Sequence, residues 1–525
     1  MQSLAAGGKK ILPIAAKLEM PALSLVMDFL KKKQARAWLA GGTVRDLLRG
    51  GRPWDVDLVT IGDPVPLARE FADSIGGSFF VLSEEFLTCR VVDIGHVADA
   101  GRPAGSLDNQ TPTPESRGRF PDHGPTATYD FAACRAGSIE ADLALRDFTV
   151  DAMAIELPDG ERIIDPLSGQ ADLKAGRLAA VSRDIFRHDP LRMLRALRLE
   201  KTTGLAIDPS LEKLIREHRS LAADPAPERV FPELACLLEP PGAARGVRRL
   251  DRLDLLPVLF PEVQALKGVA QNEYHHLDVY EHSLANCEAL ERIIADPERY
   301  FPGQAKRLEG RSRRRFTGGV SWGFVLCFTA VMHDIGKPET KFIDEGGQVR
   351  FFEHDRRGAV MVAGILGRLK ASAEITGAIS FLVRKHLRFE GLIQQPVPSE
   401  RARLRYLRAT EPYSPEAIVL SVSDRLSVRG PLVTEADVER HLQLAREMMS
   451  AAFAEAESEP PPRLIGGDEL MEELSLGPGP LIGRLLERVL EEQKLGNIST
   501  REEALEVASG ALQEEQPPGT NDQDP

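Results

Sequence analysis

The sequence of 525 residues predicts an α+β chain, with its strands near the N-terminus and helices over most of the rest. Three observations carry this. Residues 37–97 alternate short apolar runs with helical stretches. Residues 205–265 and 399–454 read as helices, the former broken near Pro225–Pro227 and Pro240–Gly242. Between them the histidines gather, six of the 11 lying from His275 to His386.

Composition narrows the classes. A net charge of −13 is the wrong sign for a protein that binds nucleic acid over its whole surface, though a local basic face still serves. The five cysteines lack metal-ligand spacing and suggest no disulfide framework. No signal peptide or apolar run of membrane length is visible, so a reducing, cytoplasmic setting without a membrane partner is expected. Oligomeric state has no signature here.

In chain order, an apolar stretch at 11–20 and a helix at 25–33 come first. Residues 37–97, read alone as α/β or α+β, hold 37–40, 44–48, 56–61, 67–75, 79–82 and 89–94. Gly41 and Gly42 let backbone approach an anion, and Arg45 follows on a helical turn. Asp55 and Asp57, two apart on a strand, share one face. Two carboxylates that close favour a cation between them, and oxygen-rich sites of this kind suit Mg²⁺ with substrate phosphates. Residues 98–127, dense in Gly, Pro, Ser and Asp, predict a mobile loop. A strand resumes at 129–135, where Asp130 is a candidate third carboxylate. Arg146 and Asp147 then precede an apolar run, as candidates for a triphosphate and a ribose hydroxyl. Asp165 and Gly169 predict a turn.

Pro190 suits the first turn of a helix capped by Asp189, and Arg192, Arg195 and Arg198 recur along it beside Leu191, Leu194 and Leu197. Guanidinium forks match phosphates and base edges, while intramolecular ion pairing is the plainer reading of the stripe. His282, His333, Asp334, His354, His386 and Asp424 can assemble a divalent site among helices, with His333–Asp334 ending the apolar run 324–332. Residues 455–462 predict a linker, and 481–493 a helix after a glycine-rich entry. Residues 511–525 predict a disordered tail.

These motifs, in this order, resemble the bacterial tRNA nucleotidyltransferase and poly(A) polymerase family over roughly residues 20–505. Gly41-Gly-Thr-Val-Arg-Asp46 with Asp55-Val-Asp57 resembles its nucleotidyltransferase signature. The resemblance implies a head at 1–172 in which Asp55 and Asp57 hold Mg²⁺, with Gly41, Gly42, Arg45, Arg146 and Asp147 on the nucleotide. It implies a helical neck at 173–265, where Asp189 and Arg192, followed by Arg195, meet the base of CTP or ATP and Glu228–Leu234 steadies the helices. The implied reaction adds CMP, AMP or both to the 3′ end of tRNA. An HD-type domain at 266–454 is implied next, with His282, His333, Asp334 and Asp424 as the four ligands of one metal. His354 and His386 would be the extra ligands of a two-metal version holding Mn²⁺, Ni²⁺ or Fe²⁺, and Lys337 a phosphate contact. That domain implies phosphohydrolase or 2′,3′-cyclic phosphodiesterase chemistry. A small helical module at 463–510 follows. The chain departs from the family at Leu145, Asp151 and His188, where Arg, Asn and Glu are usual.

Overall fold

The computed structural model describes residues 20–93, 127–160, 162–271, 276–395, 397–459 and 461–515. The loop expected at 98–127 lies almost wholly outside them, as do His275, most of the stretch at 11–20 and residues 516–525. The last helix runs from Arg501 to Glu515, into the segment expected as tail.

A seven-stranded sheet organises the N-terminal part: β1 (Ala37–Ala40), β2 (Asp55–Thr60), β3 (Ser78–Ser83), β4 (Thr88–Val92), β5 (Thr128–Ala133), β6 (Ala154–Leu157) and β7 (Ile163–Ile164). Their order is β3-β4-β5-β2-β1-β6-β7. The one parallel pair, β2 with β5, lies at the centre and sets Asp57 opposite Asp130. Helices α1 (Pro21–Lys33) and α2 (Gly42–Leu48) and α3 (Val65–Ile75) pack on one face. There Phe29, Phe71, Tyr129 and Phe131 make an aromatic cluster, with Phe71 4.8 Å from Tyr129 and 5.2 Å from Phe29. Covering that face leaves the upper edge of β2 and β5 for polar side chains.

Beyond the sheet the chain is helical. The helix predicted from Pro190 begins at Arg192 and runs to Thr203. The proline and its predecessors form a turn instead, in which the Asp189 carboxylate accepts the Leu191 N–H at 3.2 Å. One continuous apolar core extends from Phe148 and Val150 through Leu194, Leu234 and Leu250 to Phe328, Val383 and Phe453. It crosses residue 265 without a break, so the expected boundary between neck and histidine-bearing region is not a boundary in packing. Residues 464–512 bury a separate small core around Leu470, Leu485 and Ala504. Polar contacts join it to the rest: Arg401 and Arg405 reach the buried Glu491 and Glu492. Among the described residues no helix is long and apolar enough to cross a membrane.

Candidate active sites

Gly41 turns β1 into α2 with φ 70° and ψ −137°, a conformation that only glycine adopts readily. A Cβ there would lie 2.6 Å from the Arg146 guanidinium. Glycine therefore lets Arg146 lie across the turn, beside Asp57. In the first turn of α2, Thr43 Oγ1 accepts the Asp57 backbone N–H at 2.8 Å and lies 3.3 Å from Asp57 Oδ2. Thr128 donates to Asp55. Asp55, Asp57 and Asp130 thus share one face of the central strands. Arg90 on β4 forks onto Asp130 with two contacts of 2.7 Å. Burial raises the Asp57 carboxyl above its usual range and the Asp130 charge adds to this, against Arg146 and Thr43. A carboxylate held in that state gains from a divalent cation, and the oxygen donors present fit Mg²⁺.

Expected outcome for Gly41→Ala: strain at the turn and a displaced Arg146. Steady-state nucleotide incorporation is then expected to show a KM raised about tenfold or more, since a charged hydrogen bond contributes roughly 1.5–3 kcal/mol.

Beside the carboxylates lies a cleft of about 320 Å³, lined by Arg135, Arg146, Asp147, Asp189, Arg192 and Arg195 among others. Arg146 Nε is buried there without a hydrogen-bond partner. Asp142, 2% exposed, receives the Arg135 Nε–H at 3.1 Å and reaches Arg146 at 3.4 Å. Asp147 accepts the Arg195 Nε–H at 2.9 Å. Arg192 donates to the Leu145 and Arg146 carbonyls, at 3.0 and 3.4 Å. Asp189 lines the same cleft as Arg192 and accepts from Arg229 at 2.6 Å. The arginine stripe is therefore partly internal, since Arg198 also pairs with Glu233 at 2.6 Å.

Arg45 stands elsewhere than a phosphate contact would require. Its guanidinium is buried and engaged by Asp46 at 2.9 and 3.0 Å and by Asp151 at 2.7 Å. It ties α2 to the segment before β6. Gly42 lies under this same side chain, with a Cβ 3.3 Å from it. Burial pushes the Asp151 carboxyl up to about 6, with Arg45 opposing and the Asp147 charge adding. A folded-state value above the unfolded one means this group favours folding below pH about 4 and loses that contribution as pH rises through about 6. Asp151→Ala is expected to lower stability by about 3 kcal/mol by stranding a buried arginine. Asp151→Asn keeps the oxygen that Arg45 meets and is expected to lose less. Urea unfolding checks both, and the Asn variant also loses the slope between pH 4 and 6.

The second site sits among helices. Trp322–Met332 delivers His333 and Asp334 at its C-terminal end. Val279–Ala295 carries His282, His354 opens a helix to Arg368, His386 follows one from Ala373, and Asp424 lies on Ser414–Ser427. Gly336 makes the approach possible, because a Cβ there would lie 2.3 Å from the His354 carbonyl oxygen.

Two trios result: His282, His333 and Asp424, and Asp334, His354 and His386. Asp334 stands between them. Its Oδ2 lies 3.1 Å from His333 Nε2 and 3.6 Å from His282 Nε2, while Oδ1 lies 3.2 Å from His354 Nε2 and 3.8 Å from His386 Nε2. Asp334 thus joins His282, His333 and Asp424 through one oxygen and turns the other to His354 and His386.

Hydrogen bonding sets the tautomers. Nδ1 of His333, His354 and His386 donates to the carbonyls of Ala330, Phe351 and Val383, at 2.8, 2.9 and 2.6 Å. Ser427 Oγ donates to the Asp424 carbonyl and so accepts from His282 Nδ1 at 3.2 Å. All four Nε2 lone pairs then face inward. His354 and His386 bring two of them within 3.3 Å, an arrangement neither ring relieves alone. Burial pushes His386 down to about 4, leaving it neutral. Asp424 Oδ1 is buried without a hydrogen bond. Imidazole and carboxylate donors of this kind fit a divalent transition metal in each trio. Lys337 is buried and spans Asp334 Oδ2 and Gln271, each at 2.6 Å.

Residues 37–179 match the poly A polymerase head domain, 204–267 a probable RNA and SrmB-binding site of polymerase A, and 324–429 the HD domain. The A-adding tRNA nucleotidyltransferase of Deinococcus radiodurans is 34% identical over 89% of this chain and 94% of its own. The CC-adding enzyme of Thermus thermophilus is 32% identical over 91% and 94%. In fold, the chain is similar to a CCA-adding enzyme solved with CTP, at TM-score 0.58 and 20% identity over 96% of this chain and all of the other.

Proposed function

The chain belongs to the bacterial tRNA nucleotidyltransferase and poly(A) polymerase family, with an HD domain after its mixed α/β head, and from that premise we propose how its residues divide the work. The reaction is template-independent transfer of CMP, AMP or both from CTP and ATP to the 3′ end of tRNA. The carrying observation is the arginine-lined cleft opening beside the carboxylates of β2 and β5.

Asp55 and Asp57 would hold Mg²⁺, which would neutralise charge on the phosphates and the attacking oxygen. Thr43 fixes Asp57 in place for this. Arg146, with its unpartnered Nε, and Arg135 face the triphosphate, both oriented by Asp142. Gly41 and Gly42 keep the turn thin enough for that approach, while Arg45 braces it from below. Asp147, held by Arg195, meets the ribose. Asp189, held by Arg229, and Arg192 present an acceptor and donors to the base edge. The tRNA 3′-hydroxyl attacks the α-phosphate in line, the bond to the β-phosphate oxygen breaks, and pyrophosphate leaves.

We place the protein in the cytoplasm, supported by five cysteines that are all free. The deciding assay supplies tRNA lacking its 3′ end with labelled CTP and ATP, separately and together. Incorporation with one nucleotide alone reads the specificity; none with either overturns the assignment.

A second reading applies to the HD site. Its two trios about Asp334 support metal-dependent hydrolysis of a phosphoester, with Lys337 at the centre. Release of phosphate or opening of a 2′,3′-cyclic phosphate by protein loaded with Mn²⁺ or Ni²⁺ tests it.

A further inference from the structure

A surface beside the second trio has no role in the functions above. His386 is flanked by Arg384, Lys385 and Arg388, and Leu387 between them is 43% exposed. Among the described residues none of the three cations has an acidic partner. Like charges concentrated at one helix end, in a chain of net charge −13, mark a place held for an anion.

Across the same trio stands the hairpin of Lys341–Ile343 and Val349–Phe351. It is anchored on the site: Phe351 accepts from His354 at 2.9 Å, and Lys337 Nζ lies 5.3 Å from the Phe351 ring. Three large apolar side chains on and beside it are uncovered, Phe342 on the face it shares with Arg350 and Ile343 on the other. Phe342, Ile343 and Phe352 are 52%, 59% and 60% exposed, and the two phenyl rings lie 5.9 Å apart. Nearby acids are mostly spent: Glu339 pairs with Arg357, Asp344 with Arg350 and Glu353 with Arg356. Glu345 and Asp355 remain, and Glu390, two residues beyond Arg388, lies near the Arg425 and Arg440 charges.

Unpaired cations on one side and exposed rings on the other are the two components of a single-strand nucleic-acid groove. The backbone tracks the charges while the bases stack on aromatic faces. We propose that this surface binds single-stranded RNA, with Arg384, Lys385 and Arg388 on the phosphates and Phe342 and Phe352 under the bases, so that a phosphoester of the strand lies over the second trio. The inference rests on the HD reading only for what happens after binding.

The test uses the full chain and a short labelled oligoribonucleotide carrying 4-thiouridine at its 3′ end, without added metal. The variant Arg384→Gln/Lys385→Gln/Arg388→Gln is expected to bind about tenfold more weakly. The slope of log affinity against log salt is expected to fall by about 2, from roughly 0.7 for each phosphate contact. Crosslinks are expected at Phe342 or Phe352 and are lost in Phe342→Ala/Phe352→Ala. Incorporation of CTP and ATP into tRNA stays unchanged, which shows that the variants fold. Unchanged affinity and slope, or crosslinks confined to residues 37–267, overturn the proposal. So does a finding that the same substitutions alter only self-association. If binding and crosslinks behave as expected while wild-type protein loaded with Mn²⁺ hydrolyses neither RNA nor bis-p-nitrophenyl phosphate, the surface stands and the hydrolase reading falls.

Discussion

Nucleotide incorporation is expected to fall by on the order of 10³-fold in Asp57→Asn, and beyond detection in Asp55→Ala/Asp57→Ala. Thr43 accepts the Asp57 backbone N–H and lies 3.3 Å from its carboxylate. That carboxylate faces Asp130 across β5 and lies beside Arg146. On the proposed reading, its charge is what would bring a cation to the reacting phosphate. Asp57→Asn is also expected to raise stability slightly. Burial and the Asp130 charge lift its folded-state pKa above the unfolded value, so ionisation works against folding. Stability of the parent is therefore greater below the ordinary Asp range and declines as pH rises through the folded value, a decline the Asn variant lacks. Labelled incorporation and urea unfolding at several pH values read both effects. A variant that loses activity and stability together would mean that Asp57 supports the fold and not the chemistry.

The second large effect is expected at Asp334. Because its two oxygens face different trios, Asp334→Ala is expected to remove both metals, whereas His386→Ala removes one. Metal analysis after loading with Mn²⁺ or Ni²⁺ and desalting counts them directly. The Ala variant also strands the buried Lys337, at a loss of about 3 kcal/mol or more. Asp334→Asn retains an acceptor for that lysine and separates loss of metal from loss of fold. Nucleotide incorporation is expected to survive in the Asn variant, because the head carboxylates lie on a different element and a different core. Equal metal content in the Asn variant and the parent would remove Asp334 from both sites.

Much of this was readable from residue order. The spacing of Asp55 and Asp57 puts them on one strand face whatever surrounds them. The apolar run before His333 predicts a buried helix that ends on its ligands. Partners were not readable, because they depend on register between distant segments. Thr43 meets Asp57 only once α2 closes over β2, and Asp189 meets Arg229 across two helices of the neck. The resemblance implies a nucleotide contact for Arg45, and its burial beside Asp151 depends on a segment more than a hundred residues away. The approach of His354 and His386 to the second oxygen of Asp334 likewise depends on Gly336, whose missing side chain lets the His354 helix close in. Spacing alone places six ligands without saying which share an ion.

The unbroken core from Phe148 to Phe453 has a consequence for how this chain changes over generations. An HD domain attached by a linker could be discarded once its hydrolysis ceased to matter. Here, deletion from about residue 266 onward would uncover the helix Ala243–Arg252, which packs on Val279–Ala295 and Trp322–Met332 and in turn against the helix that carries Arg192. The metal ligands are free to drift while the helices that carry them are not. A descendant that abandoned phosphoester cleavage would keep the bundle as ballast for tRNA-end synthesis. In such a lineage the six ligand positions would decay first, with Val331, Leu382 and Val422 around them still apolar.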